Sequence, residues 1–342
     1  MKANNKEQIR IGFAGSFDEP IKRINNNSID FFNNKKYVSY GDNNEFPQYL
    51  YKAYMQCGIL QGIINGIVDS LYKRVKSNDI SDDDLLKCLY DYIIFGGYAV
   101  EVLRSKTLKT VKINYLPFEN IRVNCTKTIG YYSNKWGKYT GKTSEFPLND
   151  DTSTHSIYYY SGRLTRGVYP VPMYFSALKS IEIQNDIKTF HLSTIKNNFN
   201  SNVIININNG NYTEETQKEI EKLINEKFSG AENAGKMVLM FNDSKDNAAD
   251  IVRLEGDKFD EKYQALDKST KEDIFIAFRA TPCLFGLMPE NNGFSKEEYA
   301  EAMNLFEENV LEPLLLTFVK SFKAGVVEIV NNDTKITEET QE

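Results

Sequence analysis

"TPCLFGLMPENNGFSKEE", residues 281–298, is a connection whose entry and exit are both fixed by local chemistry. The residue before a proline is pushed out of helical geometry, so a helix arriving at Thr281-Pro282 stops there. Ser295 and Glu298 stand at capping-box spacing, so a new helix opens at Ser295. Between them Gly286, Pro289, Asn291, Asn292 and Gly293 are turn formers, set too densely for a helix or a strand. A loop anchored this way can move at its tip without disturbing either helix.

Outward from this loop the pattern is regular. Upstream, a long helix is predicted from about Lys258 to Arg279. Downstream, Tyr299, Met303, Phe306, Val310 and Leu314 fall near one helical face, and Pro313 inside that helix removes a backbone donor and predicts a kink. An earlier long helix, Pro172 to Asn197, lacks glycine and carries apolar residues on more than one stripe, which predicts contacts on several sides. Between the two long helices lies a βαββ unit. Its strands are "NVIININ" (202–208), "KMVLMF" (236–241) and "ADIVRL" (249–254), with a helix at 214–228. Thr213 caps that helix and Ile220, Leu223, Ile224 and Phe228 form its apolar face. Lys218, Glu221, Lys222 and Glu226 are left as charged positions, open to a partner or simply a soluble face. Some 50 residues inserted between two long helices make an excursion, not a domain boundary.

The N-terminal half reads as mixed α+β. Pro47 can open a first helix. "CGILQGIINGIVDSLYKRV", from Cys57 to Val75, repeats glycine at Gly58, Gly62 and Gly66, but Gln61, Asn65 and Asp69 interrupt it too often for a membrane span of about 20 apolar residues. Tight packing against a neighbouring helix is the expectation. The carboxylates of "SDDDLL" (81–86) suit the positive end of a helix running to about residue 95, and Gly96-Gly97 breaks it. Strands follow in "YAVEVLR", "KTVKINYLP", "IRVNC", "GYYSNKW" and "SIYYY".

Several function classes are disfavoured. In "WGKYTGKTSEF" (136–146), Gly141, Lys142 and Thr143 imitate the end of a nucleotide-binding loop. The required first glycine would stand where Trp136 does, and Pro147 interrupts the helix that should follow. A polar turn between Tyr-rich strands is the expectation. His155 and His191 have no partner at metal-ligand spacing, and no nucleophile elbow occurs, so neither catalytic residue, metal nor cofactor is expected. The four cysteines show no CxxC spacing, which favours buried thiols over disulfides. The N-terminal stretch "MKANNKEQIRIGFAG" lacks the apolar core of a signal peptide, which predicts synthesis in the cytosol. A formal net charge of -6 argues against wrapping nucleic acid by phosphate neutralisation.

The ordered set of long helix, βαββ insert, long helix, "TPCLFGLMPENNGFSKEE" and kinked helix with "LEPLL" resembles the C-terminal half of tailed-bacteriophage portal proteins. "YVSYGDNNEFPQYL" and "FGGYAVEVL" extend the similarity towards the N-terminus. The resemblance implies an α+β portal fold: residues 1–171 as an α/β N-terminal wing, 172–197 as a first stem helix, 198–256 as the clip, and 257–281 as a second stem helix. It implies a tunnel loop at 282–295, and a C-terminal wing helix with a polar tail at 296–342, the crown being short or absent. It implies a ring of about twelve copies at one capsid vertex, in the virion after assembly in the host cytoplasm, through which double-stranded DNA is packaged and ejected. Implied partners are the terminase large subunit, the major capsid or scaffolding protein and a head-tail adaptor. No membrane is implied. Pro289, Glu290, Asn291, Asn292, Gly293 and Phe294 would form the DNA-facing loop, while Lys218, Glu221, Lys222 and Glu226 would face terminase. Two alternatives stay open: an adaptor or assembly protein that never touches DNA, and a nucleotide-using enzyme.

Overall fold

Proline, glycine and serine set the helix ends of the N-terminal half. The computed structural model describes residues 36–41, 44–137, 140–196, 204–207, 219, 238–241, 259–287, 295–322 and 326–330. Pro47 lies in the first turn of α1 (Phe46–Gln56), and extended Cys57 separates it from α2 (Gly58–Tyr72). Ser81 caps α3 (Asp82–Phe95) by accepting from the Asp84 N–H, with Asp82, Asp83 and Asp84 in the first turn where the helix dipole favours them. Gly96, at φ 82°, ends it in the left-handed conformation, as the Gly96-Gly97 pair predicts. A short strand β1 (Val75–Lys76) follows α2.

Two three-stranded antiparallel sheets follow. β2 (Tyr98–Arg104) lies between β3 (Thr110–Leu116) and β7 (His155–Tyr160), placing Val100 opposite both Tyr115 and Tyr158. β5 (Ile129–Tyr132) lies between β4 (Ile121–Val123) and β6 (Ser144–Pro147). The Gly-Lys-Thr segment runs straight into β6, so it feeds a strand and no phosphate-holding helix. Trp136 is buried, its indole N–H donating to the Asn120 carbonyl at 2.9 Å. β8 (Thr165–Arg166) and β9 (Tyr169–Pro170) form a small hairpin. His155 opens β7, and its Nε2 lies 2.7 Å from the Glu101 carboxylate.

α3 packs on the first sheet, and α1 and α2 pack on α3 and on each other, around a core that includes Leu60, Ile64, Leu89, Ile93 and Tyr98. Deep beside it sits fully buried Arg122. Its guanidinium donates to the Asn44 carbonyl (2.6 Å) and side-chain oxygen (2.5 Å), and to the carbonyls of Glu119 (2.8 Å) and Ile121 (2.7 Å). Trp136 and Tyr40 cover its faces. A buried charge is tolerated only when its hydrogen bonds are met, and carbonyls meet them here without a carboxylate. The "YGDNNEFP" turn is thereby tied to the second sheet.

The first long helix starts later than Pro172. Residues 172–174 form a turn and Phe175–Ala177 a 3-10 turn before α4 (Leu178–Lys196) begins. Of the insert, β10 (Ile204–Ile207) and β11 (Val238–Phe241) are described, paired in parallel with Ile204 opposite Val238. Parallel neighbours require a crossover, which fits a strand-helix-strand order. The 214–228 helix, apart from Glu219, and the 249–254 strand lie outside the described residues. α5 (Phe259–Phe278) returns antiparallel to α4: Ser180 bonds Asp273, Gln184 bonds Asp267 and Thr270, and Phe190 stacks on Tyr263.

After α5 the chain reaches α6 (Lys296–Phe306), a π-turn at Glu307–Leu311, and α7 (Glu312–Ser321). Pro313 cannot donate to residue 309, and the helix accommodates this by an i→i−5 bond from Glu312 to Glu307. The extra residue rotates the buried stripe. Val310, Leu311, Leu315 and Phe318 are buried, whereas Tyr299, predicted on the same face, is 46% exposed. β12 (Glu328–Ile329) then pairs with β1.

Candidate functional site

The loop at 282–295 is anchored at both ends as its sequence predicts. Arg279, at φ 53°, ends α5 in the left-handed region, and Thr281 is extended. A 3-10 turn, Pro282–Phe285, follows and closes on Gly286 (φ 83°), with the Leu287 N–H bonding back to Pro282. At the far end the capping box is complete: Glu298 N–H donates to Ser295 Oγ, and Ser295 N–H to the Glu298 carboxylate.

Phe285 holds the near anchor. Its ring lies 6.0 Å from Phe275 on α5 and 5.9 Å, edge-on, from Phe306 on α6. On the third side is Gly66 of α2, where an added Cβ would stand 2.9 Å from the ring. This explains one of the three glycines: Gly66 gives a ring its place. Gly62 has nothing within 4 Å among the described residues and Gly58 meets only the tip of Lys188 at 4.0 Å, so the expected tight helix packing does not extend along the ladder. Neither Phe285 nor its contact with Gly66 stood out in the sequence. The glycine spacing hinted at a close approach, but a ring from a distant loop base leaves no periodic signal.

The loop and the insert sit at opposite ends of the α4–α5 pair. α4 has 19 residues, a length of about 28 Å at 1.5 Å per residue. A polar cluster sits in its seam. Fully buried Gln184 points its Nε2 at the Asp267 carbonyl (2.9 Å) and Thr270 Oγ1 (2.5 Å), and Ser180 donates to Asp273 at 2.8 Å. Ile181, Ile274 and Phe278 are buried, whereas Leu192, Leu266 and Ile276 are exposed, the last by 72%.

Pro289, Glu290, Asn291, Asn292, Gly293 and Phe294 lie outside the described residues, as do Lys218, Glu221, Lys222 and Glu226. Of the cysteines, Cys57, Cys88 and Cys283 are buried free thiols; Cys125 is exposed. Among the described residues no His/Cys/Asp/Glu group could hold a metal ion, and no helix is long and apolar enough to cross a membrane.

This arrangement of helices and sheets occurs in phage-like particles. A chain from the neck of an empty gene transfer agent particle, computed with C6 symmetry, shares the fold at a TM-score of 0.55 and 14% identity, covering 85% of each chain. One from the virion of the native gene transfer agent particle gives 0.56 and 13%, covering 85% of this chain and 84% of that one. One from the native neck, computed with C12 symmetry, gives 0.56 and 13%, covering 84% of each. The chain therefore shares the fold of those chains. The model of the family described as phage portal protein matches residues 71–341, and the chain belongs to that family. The family is structural, not enzymatic. No curated protein matches the chain.

Proposed function

We propose that the chain is the portal subunit of a phage or phage-like particle, about twelve copies forming a ring at one capsid vertex through which double-stranded DNA is packaged and ejected. The observation that carries this reading is the antiparallel α4–α5 pair, with an α/β excursion at one end and an anchored loop base at the other. In a ring of such pairs, every loop returns to one level of the channel while every excursion projects from one side. The pair then serves as stem, residues 198–256 as the clip that docks the terminase large subunit, and 282–295 as the channel loop. The rest forms a wing that meets the capsid or scaffolding protein and a head-tail adaptor. The symmetric necks of the similar chains support a multi-copy arrangement. Energy for packaging comes from the docked terminase, and the net charge of -6 per copy presents DNA with a wall that repels it.

Electron microscopy of the purified protein tests this: closed rings with a DNA-wide pore are expected, and open or pore-less assemblies would overturn it. A second reading, a neck adaptor that never contacts DNA, is kept because two of the similar chains come from necks. Asn291→Lys with Asn292→Lys separates the two. For a portal, added positive charge at the channel loop slows packaging more at low salt than at high salt; for an adaptor, the rate is unchanged at every ionic strength.

A further inference from the structure

A cleft of about 510 Å³ opens where the end of α3, the turn before β8, the end of α5 and the π-turn meet. Its walls are largely apolar, with Ile93, Val171, Val310 and Leu314 among them, and two arginines, Arg163 and Arg279, complete the lining. No carboxylate lines it. Both arginines are exposed, and among the described residues neither has an ion-pair or hydrogen-bond partner for its guanidinium. Arg279 also holds a left-handed backbone conformation that a β-carbon disfavours, a strain that clusters at functional positions. An apolar cleft with unmatched guanidinium groups fits an acidic segment with apolar side chains.

The same chain carries such a segment. Every residue from Ser295 to Glu301 is exposed, so the first two turns of α6 stand clear of the body. A short helix left without tertiary packing is marginal in water. Spacing of four residues sets Glu297, Glu301 and Leu305 on one face, with Tyr299 and Leu305 exposed by 46% and 54%. Two surfaces complementary in charge and apolar character, at different places on one molecule, make a heterologous contact, and heterologous contacts generate rings when the rotation closes.

We propose that the cleft receives α6 from the next copy, Glu297 and Glu301 meeting Arg163 and Arg279 while Leu305, on the same face, enters the apolar part. This rests on the ring reading above and adds which surfaces make the ring.

The test uses two double variants of the full chain, Arg163→Glu with Arg279→Glu, and Glu297→Arg with Glu301→Arg, followed by mass photometry and electron microscopy. Each variant alone is expected to form rings at least tenfold less than wild type at equal concentration. A one-to-one mixture should restore rings of even copy number, because every contact in an alternating ring is matched. Glutamine at the same four positions, expected to weaken assembly in the same direction, covers the case in which a reversal prevents folding. Variants that assemble like wild type, or a mixture that stays dissociated, overturn this contact while leaving the ring reading intact; a mixture that stays apart would point to an acidic partner other than the chain itself. A wild-type protein that does not self-associate overturns both.

Discussion

The N-terminal body and the α4–α5 pair share one apolar core but differ in what is added to it. In the body, apolar and aromatic side chains face inward and fully buried Arg122 is satisfied by carbonyls. In the pair, Leu178, Ile181, Ile274 and Phe278 join that same core, but buried Gln184 and Ser180 also bond across the seam, and Leu192, Leu266 and Ile276 are exposed. The body leaves scattered apolar side chains such as Met55 and Val111 exposed, as the pair does. What distinguishes the pair is a register set by directional bonds.

The contrast can be broken most severely at Arg122. Arg122→Ala strands buried carbonyls of Asn44, Glu119 and Ile121 and should cost about 3–5 kcal/mol, read as a lower denaturant midpoint for the whole body. If the cost is under about 1 kcal/mol, the clamp is ornamental and the body does not depend on it.

Asp91 gives the next largest effect. It is buried, accepting from the Phe118 N–H at 3.0 Å, and burial pushes its carboxyl up to about 8. The folded state therefore keeps a proton that the unfolded chain releases near its ordinary value of 3.8, so stability should fall as pH rises between those values. The slope reaches about 1.4 kcal/mol per pH unit, and about 2–4 kcal/mol should separate pH 5 from pH 8. Asp91→Asn should flatten that dependence in denaturation curves taken across the range.

Gln184→Ala tests the pair. It removes the Nε2 bonds to Asp267 and Thr270 and should cost about 1–2 kcal/mol, with faster hydrogen exchange confined to α4 and α5. Loss of protection spread over the body would erase the distinction between the two regions. The smallest effect belongs to the glycine ladder. Gly62→Ala should stabilise the monomer by about 0.5–1 kcal/mol, because nothing described stands in the way, whereas Gly66→Ala gains less because its Cβ meets Phe285.

Much of this was legible in sequence because it is local. Pro47, Ser81, Gly96 and the Ser295–Glu298 box each act within a few residues, and their elements begin or end where those residues place them. The two long helices and the strands at Ile204–Ile207 and Val238–Phe241 follow from periodicity. The late start of α4 was hidden because a 3-10 turn shares the apolar spacing of a helix. β1 and β12 escaped notice because two-residue strands carry no alternation, and the π-turn because Pro313 signals a kink without saying how the backbone absorbs it. At the loop, its two anchors were readable, whereas Phe285 was not, since its partners come from three separate helices.

The π-turn carries a further consequence. In a continuous screw, the surface shown at one end dictates the surface shown at the other. Glu307–Leu311 is a dislocation in that screw, and it shifts by one residue the phase between Phe306 of α6 and Leu315 and Phe318 of α7, all of them in the core. The outer half of the helix can therefore be rewritten, residue by residue, to suit a different neighbour without repacking the inner half. Removing one residue from the turn would restore a single phase and tie the two surfaces back together.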